Sequence, residues 1–280
     1  MKLIADSCSD ISIDELDRMG IEMIPLKITI DEEDYLDQYE ISNTEVLDAI
    51  SEGKRPLTSQ ANPGDFTKVF RKYVERNVPV LYMAFSSELS GTYQSAVIAR
   101  DTILEDHPKA DITLIDTKAA SYGLGMIVER AHGYVEEGLG KDEIVAKVEK
   151  DVKAIRHFFT VHDLDYLAKG GRLSKGQAFL GGLLNIKPLL HVEEGKLVPL
   201  EKHRGIKKVH GSMVQHLIAD NVTHDVHITH ANAESQAEQL KQKILDETNV
   251  TEVKISTIGP TISSHTGNGT VAMFYFNEGV

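Results

Sequence analysis

Short apolar runs alternate with helix-like stretches through the first half of the chain, and this alternation is the strongest constraint on the fold. Apolar runs with the composition of buried strands lie at residues 2–5, 78–85 and 111–116. Helix-like stretches lie at about 63–76, 90–100, 121–137 and 141–155. Parallel strands need long crossover connections, and helices of this length supply them. The first half is therefore predicted to be an α/β domain with a parallel, helix-covered sheet.

Local signals place several elements within this half. Ser12 and Glu15 have the spacing of a capping box, and Pro63 suits the first position of a helix. Residues 21–30 alternate in the manner of one strand. Residues 31–40 carry six acids, which indicates a solvated turn or sheet edge.

The second half has a different pattern. A strand-like run at 157–162 leads into a helix that ends at Gly170-Gly171, and residues 186–201 are typical of a hairpin. Further helices are predicted at about 205–220 and 233–247, and strands at 226–230, 252–258 and 270–276. Hairpins mixed with helices predict an α+β domain with mixed or antiparallel strands. Since 280 residues is about twice the usual domain size, we expect two domains, 1–155 and 156–280.

The charge balance excludes several classes of function. Forty-three acids against 30 bases give a formal charge of −13, which argues against a nucleic-acid partner and allows only transient contact with an anionic membrane. The single cysteine, Cys8, excludes a disulfide framework and a cysteine zinc cluster. No signal-peptide pattern and no apolar run near 20 residues are present, which predicts a cytoplasmic protein.

Motifs for nucleotides and for hydrolysis fail on their context. Residues 267–272 (GNGTVA) match a dinucleotide fingerprint, but they open a strand rather than a helix, and the chain ends at 280. A phosphate-binding loop is also missing. The elbow of an α/β-hydrolase needs a glycine two residues before its serine, and Glu88 stands there before Ser90.

Metal binding is also not favoured. His224, His227 and His230 are three residues apart, so a strand would direct His227 to the face opposite the other two. Asp6 and Asp10 could together hold a metal at a strand end. Capping of the loop by these carboxylates is the better interpretation.

Three polar segments remain as a candidate site. SSELSGTY at 86–93 follows a buried strand and opens a helix, where ligands bind at the carboxyl end of parallel strands. Ser90 there either helps to bind an anion or only caps the helix. TSQ at 58–60 is predicted to be a polar loop, and 261–270 a glycine- and hydroxyl-rich loop containing His265. Such a set suits holding a carboxylate better than breaking a bond.

Taken together, these segments resemble the DegV family. The motifs that carry the resemblance are ADSCSD at 5–10, TSQ at 58–60, SSELSGTY at 86–93, LAKGGRLS at 167–174 and SSHTGNGT at 263–270. Their order and spacing match over essentially the whole chain. The resemblance implies a two-domain α/β protein that holds one long-chain fatty acid between its domains, without metal or cofactor. It also implies that a separate ATP-dependent kinase converts the bound acid to an acyl phosphate for phospholipid synthesis.

The resemblance also assigns residues. Thr58, Ser90 and His265 are expected to hold the carboxylate of the fatty acid. Basic residues near the pocket mouth are expected to meet the kinase or the acyl phosphate, or else to be ordinary solvated bases: Arg172, Lys202 and Arg204. The family often has proline after TSQ, and Ala61 stands there in this chain.

Two other functions stay open from the sequence. One is an acyl hydrolase or thioesterase that uses Ser90 with His265, although no acid partner is evident. The other is a phosphate- or sugar-binding module at the helix end near Ser90. The apolar stretch 176–184 (GQAFLGGLL) is predicted to form a tunnel wall or small lid, or to pack as a helix on the second sheet.

Overall fold

The fold was taken from a computed structural model, which describes residues 1–174 and 186–279. A four-stranded sheet in the order β2-β1-β6-β7 is parallel throughout. Its strands are β1 (Lys2–Asp6), β2 (Glu22–Ile24), β6 (Val80–Ala84) and β7 (Ile112–Asp116). This is the parallel sheet that the alternating pattern predicted.

Helices cover both faces of this sheet because successive strand residues point to opposite sides. Leu81 and Met83 of β6 pack into one core, and Val80 and Tyr82 into the other. The helices of the first half are α1 (Ile13–Arg18), α2 (Asn43–Ser51), α3 (Pro63–Val74), α4 (Thr92–Asp106), α5 (Tyr122–Glu136) and α6 (Lys141–Ala154). The capping box of Ser12 with Glu15 forms as predicted, so the start of α1 is encoded locally.

A second, six-stranded sheet is mixed, in the order β10-β9-β8-β13-β11-β12. Among the described strands of this sheet, only β11 and β12 pair in parallel, and the other neighbours are antiparallel. Its strands are β8 (Ile155–Thr160), β9 (Ile186–Glu193), β10 (Lys196–Arg204), β11 (Val226–Ala231), β12 (Val253–Thr257) and β13 (Thr270–Phe276). Short α7 (Leu164–Lys169) follows β8. The mixed α/β fold class expected from the sequence is confirmed.

The two faces of the six-stranded sheet have different partners. On one face, Phe158 and Met273 pack against α8 (Ile206–Ala219) and α9 (Glu234–Glu247). On the other face, Phe159 and Phe274 share a core with the first sheet and α5. The second face is therefore buried between the two large sheets.

A small third sheet closes one side of this junction. It has the order β4-β3-β5, with β3 (Lys27–Ile30), β4 (Glu33–Leu36) and β5 (Leu57–Ser59). Next to it lies α10 (Pro260–Thr266), whose following loop is tied to α2 by Asn268, since its amide donates to the carbonyl of Leu47 at 3.1 Å. Segments that are far apart in sequence thus meet at one place.

Three local predictions were wrong. The run 21–30 is two strands in two different sheets, because Pro25 between them has no N–H for pairing. TSQ at 58–60 is partly strand, since Leu57–Ser59 pairs with β3. The predicted loop at 261–270 begins as helix α10, which Pro260 starts and which ends at Gly267, where φ is +73°. The stretch 176–184 lies outside the described residues.

Within residues 1–174 and 186–279, no helix combines the length and the apolar character needed to cross a bilayer.

Candidate functional site

A cavity of about 300 Å³ lies between the two large sheets. Alternate residues of β8 and β13 face it, because every second side chain of a strand points the same way. The opposite wall comes from the turn after β6. Apolar side chains that line it include Phe85, Leu89, Phe159, Leu197, Ile262 and Phe274. A volume near 300 Å³ is within the range of small-molecule sites.

One end of the cavity is polar, and it contains the three residues that the sequence singled out. Thr58 comes from β5, Ser90 from the turn between β6 and α4, and His265 from α10. Each is half-buried. The structure therefore brings these three side chains to one cavity wall.

Thr58 and His265 are in direct contact. The Thr58 hydroxyl and Nε2 of His265 are 2.7 Å apart, a hydrogen bond whose donor depends on the imidazole tautomer. Burial, with the positive charges of Arg172 and Arg55 adding to it, lowers the pKa of His265 to about 4. The imidazole is consequently neutral at neutral pH, and it acts as a hydrogen-bonding dipole rather than as a cation.

Ser90 has a local role as well as a position at the cavity. Its Oγ accepts a hydrogen bond from the backbone N–H of Thr92 at 3.2 Å and is 2.8 Å from the Thr92 hydroxyl. Gly91 is the residue that precedes α4, and it makes no side-chain cap. Ser90 thus helps to cap the helix, and the same oxygen lines the cavity, so the two interpretations of the sequence are compatible.

Two neighbouring residues were not assigned from the sequence. Gln60 lines the cavity, and its amide nitrogen donates to Ser95 on α4 at 2.9 Å. Gly91 lies so close to the Gln60 amide that a Cβ would overlap it. Both residues could have been singled out from the sequence, because Gln60 belongs to the TSQ segment and Gly91 to SSELSGTY. Their contact could not be predicted, since it depends on how β5 meets α4.

The basic residues fall into two groups. Arg172 lines the cavity and is held by backbone carbonyls, with one guanidinium nitrogen 2.7 Å from the oxygen of Gly170. Arg55, which the sequence did not single out, lies with its guanidinium carbon 5.9 Å from the ring centre of Tyr166. Lys202 and Arg204 are exposed on the edge strand β10, and they are not among the described residues that line the cavity.

The acidic loop after β1 has a structural role. The carboxylate of Asp6 accepts hydrogen bonds from the N–H groups of Cys8 at 3.1 Å and Phe85 at 2.8 Å, and from the Tyr82 hydroxyl at 2.6 Å. It therefore ties β1 to β6. In the described part of the chain, no group of three histidine, cysteine or acidic residues could hold a metal ion.

Comparison with known proteins relates this geometry to a family. A family model described as "Uncharacterised protein, DegV family COG1307" matches residues 1–278. A DegV domain-containing protein of Streptococcus pyogenes serotype M1 is 40% identical over 279 residues, 99% of this chain and 98% of that protein.

Solved structures give the same result. A DegV family protein from Thermus thermophilus, described for its fatty acid binding, superposes with a TM-score of 0.90 at 34% identity and covers 98% of each chain. A fatty acid binding DegV family protein from Streptococcus agalactiae has a TM-score of 0.88 at 28% identity, again over 98% of each chain. This chain therefore has the fold of two solved DegV family proteins that are described for fatty acid binding.

Proposed function

Because this chain belongs to the DegV family, we propose that it binds one long-chain fatty acid in the cavity between domains 1–155 and 156–280. The observation that carries the proposal is a cavity with an apolar body and one polar end, formed by Thr58, Ser90 and His265. A fatty acid has the same division into a long apolar chain and a single polar head.

The chain and the head group would be held by different forces. Each methylene that leaves water contributes about 0.8 kcal/mol, so the apolar wall would supply most of the affinity. The hydroxyl groups of Thr58 and Ser90 would donate to the carboxylate. His265 can support this arrangement, since an Nε2–H that donates to Thr58 leaves the threonine hydrogen free for the ligand.

The local charge favours an anion despite the formal charge of −13. Arg172 lines the same cavity, and the positive charges of Arg172 and Arg55 both act on His265. A carboxylate at the polar end would therefore lie in a positive potential. An acidic protein can therefore hold an acidic ligand, because the charge near the head group is locally positive.

We further propose that the bound acid is presented to a separate ATP-dependent kinase in the cytoplasm, and that the resulting acyl phosphate enters phospholipid synthesis. The protein would then be a carrier that needs no cofactor and contacts membranes only transiently. Arg172 at the cavity supports this step, with Lys202 and Arg204 as exposed bases for the partner. Purified kinase, ATP and loaded protein should yield acyl phosphate, and Arg172→Ala should slow its formation while fatty acid remains bound.

Stand-alone hydrolysis is less well supported by the geometry. A nucleophilic serine needs a base within hydrogen-bond reach. The hydrogen bonds found for the described residues join His265 to Thr58 and Ser90 to Thr92. Ester and thioester turnover by the wild type, lost in Ser90→Ala, would overturn the carrier interpretation.

The decisive experiment is extraction of lipid from purified, denatured protein, followed by mass spectrometry. We expect one long-chain fatty acid per chain, and delipidated protein should bind added fatty acid again. If extraction recovers no fatty acid and the delipidated protein binds none, the proposed function is wrong.

A further inference from the structure

Away from Thr58, Ser90 and His265, the cavity lining still includes the polar side chains of Ser121 and His157, and the Ser121 hydroxyl is already bonded to Asp10. His157 of β8 is only 5% exposed, and it faces the cavity on the same side of the strand as Phe159. Its ring forms a T-shaped pair with that of Phe274 on β13, with ring centres 5.5 Å apart and planes at 84°. None of the interactions proposed for the carboxylate uses this imidazole.

The position of His157 along the cavity follows from strand register. Thr270, at the start of β13, donates to the carbonyls of Thr266 and Gly267, which directly follow His265, whereas Phe274 pairs with His157. Four residues of strand span about 13 Å at ~3.3 Å each. Carbon–carbon bonds of ~1.5 Å advance an extended acyl chain by roughly 1.25 Å per carbon, so for a chain lying parallel to β13 His157 is about ten carbons beyond the level of Thr270.

The tautomer of His157 is set by a backbone contact. Its Nε2 accepts a hydrogen bond from the N–H of Ala120 at 3.4 Å, and Gly123 leaves room for the ring because a Cβ there would overlap it. Burial, and then the charges of Arg156 and His191, lower the pKa of His157 to about 3. A neutral ring whose Nε2 is an acceptor must carry its hydrogen on Nδ1.

That hydrogen has no protein acceptor in the part of the chain that the structure describes. Among the described residues, the His157 side chain has one hydrogen bond, which its Nε2 accepts from Ala120. A ligand that fills the cavity would exclude water from this donor, and a donor left unpaired there is costly unless a ligand oxygen accepts from it. An acyl chain without an oxygen substituent offers no acceptor at this depth.

We propose that His157 makes the cavity selective for a fatty acid that carries a hydroxyl or oxo oxygen near the middle of its chain, with Nδ1–H as the donor to that oxygen. This inference rests on the proposed function and adds the chemical class of the acyl chain. His157 is a specificity-determining residue in this proposal, and it takes no part in holding the carboxylate.

The test compares octadecanoic acid with 10-hydroxy- and 12-hydroxyoctadecanoic acid on delipidated protein by titration calorimetry. The quantity compared is the ratio of the affinity for a hydroxy acid to the affinity for octadecanoic acid. For at least one of the two hydroxy acids, this ratio should be at least tenfold higher in the wild type than in His157→Leu. His210→Leu, which removes a buried histidine outside the cavity lining, should keep the wild-type ratio. An equal ratio in wild type and His157→Leu overturns the proposal.

A second measurement needs no variant. In ¹H–¹⁵N spectra of the wild-type imidazoles, the Nδ1–H signal of His157 should move on addition of a mid-chain hydroxy acid and stay in place with 18-hydroxyoctadecanoic acid. Identical spectra with both probes overturn this inference alone. Failure of all the acids to bind would instead reject the proposed function.

Discussion

The hydroxyl of Thr58 lies 2.7 Å from Nε2 of His265, although 207 residues separate the two in sequence. One comes from an edge strand of the small sheet and the other from α10, near the end of the chain. Their contact joins the two halves of the sequence at the polar end of the cavity. It is also the most direct place to test the proposed site.

Replacing Thr58 with valine keeps the shape of the side chain and removes its hydroxyl. His265 then loses its partner, and a bound carboxylate loses a donor. A hydrogen bond to a charged group contributes about 1.5–3 kcal/mol, so we expect fatty acid affinity to fall by roughly 10- to 150-fold. Fluorescence displacement or calorimetry on delipidated protein measures this change.

Thr67→Val is the matched control. The Thr67 hydroxyl donates to the carbonyl of Pro63 within α3, and Thr67 is not among the cavity-lining residues of the described chain. Affinity should therefore stay at the wild-type value. Equal losses in both variants would mean that Thr58 does not contact the ligand.

The lowered pKa of His265 predicts a pH dependence of stability. Its folded value of about 4 is below the ordinary value of 6.5, so between these values the unfolded chain binds more protons. The free energy of unfolding should thus rise with pH across this window, and part of the stability is lost as pH falls from 6.5 to 4. Denaturant unfolding at several pH values should show a shallower rise in His265→Leu, whereas equal slopes would contradict the lowered pKa.

The raised pKa of Asp10 predicts a pH dependence of the unfolding free energy with the opposite sign. Burial raises its pKa to about 8, although the Ser121 hydroxyl donates to its carboxylate. Between pH 4 and 8 the folded chain therefore binds more protons, and stability falls as pH rises. Asp10→Asn should remove this dependence, so the variant gains stability relative to wild type between pH 5 and pH 8.5.

The control for this experiment is Asp101→Asn, on an exposed position of α4. Its difference in unfolding free energy from the wild type should be similar at both pH values. If the difference between wild type and Asp10→Asn is also independent of pH, the Asp10 carboxyl is ionised throughout, contrary to this prediction.

Contacts of Gly195 hold the turn of the hairpin formed by β9 and β10, which contributes to the cavity wall. Its carbonyl accepts a hydrogen bond from Ser86 at 2.8 Å, its φ is +80°, and a Cβ there would be 2.8 Å from Cδ of Lys118. Leu197 on this hairpin lines the cavity. Gly195→Ala should therefore destabilise the protein by about 2–3 kcal/mol and speed the release of fatty acid.

Gly138→Ala separates backbone strain from this contact. Gly138 has φ +78°, but no atom lies within 4 Å of the position that an added methyl group would take, so only the strain of about 1–2 kcal/mol applies. Release of fatty acid, measured by stopped-flow transfer to an acceptor, should be unchanged in Gly138→Ala. Equal release rates in the two variants would show that the turn does not hold the hairpin.

Most of the architecture could be predicted from local sequence signals. The strand–helix alternation indicated the parallel sheet, and the capping residues and Pro63 marked helix starts that the structure contains. The predictions failed where tertiary contacts override local pattern. The run 21–30 keeps one alternating pattern through two sheets, and α10 is built from serine, threonine and histidine, which are only moderate helix formers.

The sequence by itself determined the segments that matter: a TSQ segment, a serine before a helix, and a histidine in a glycine-rich stretch. Only the tertiary structure decided that Thr58 bonds to His265, that Gln60 packs on Gly91, and that His157 lies inside the cavity. The physical reason is that hydrogen bonds and pKa values depend on distance and burial, which follow from the packing of distant segments. Local propensity acts over a few neighbouring residues and carries no such information.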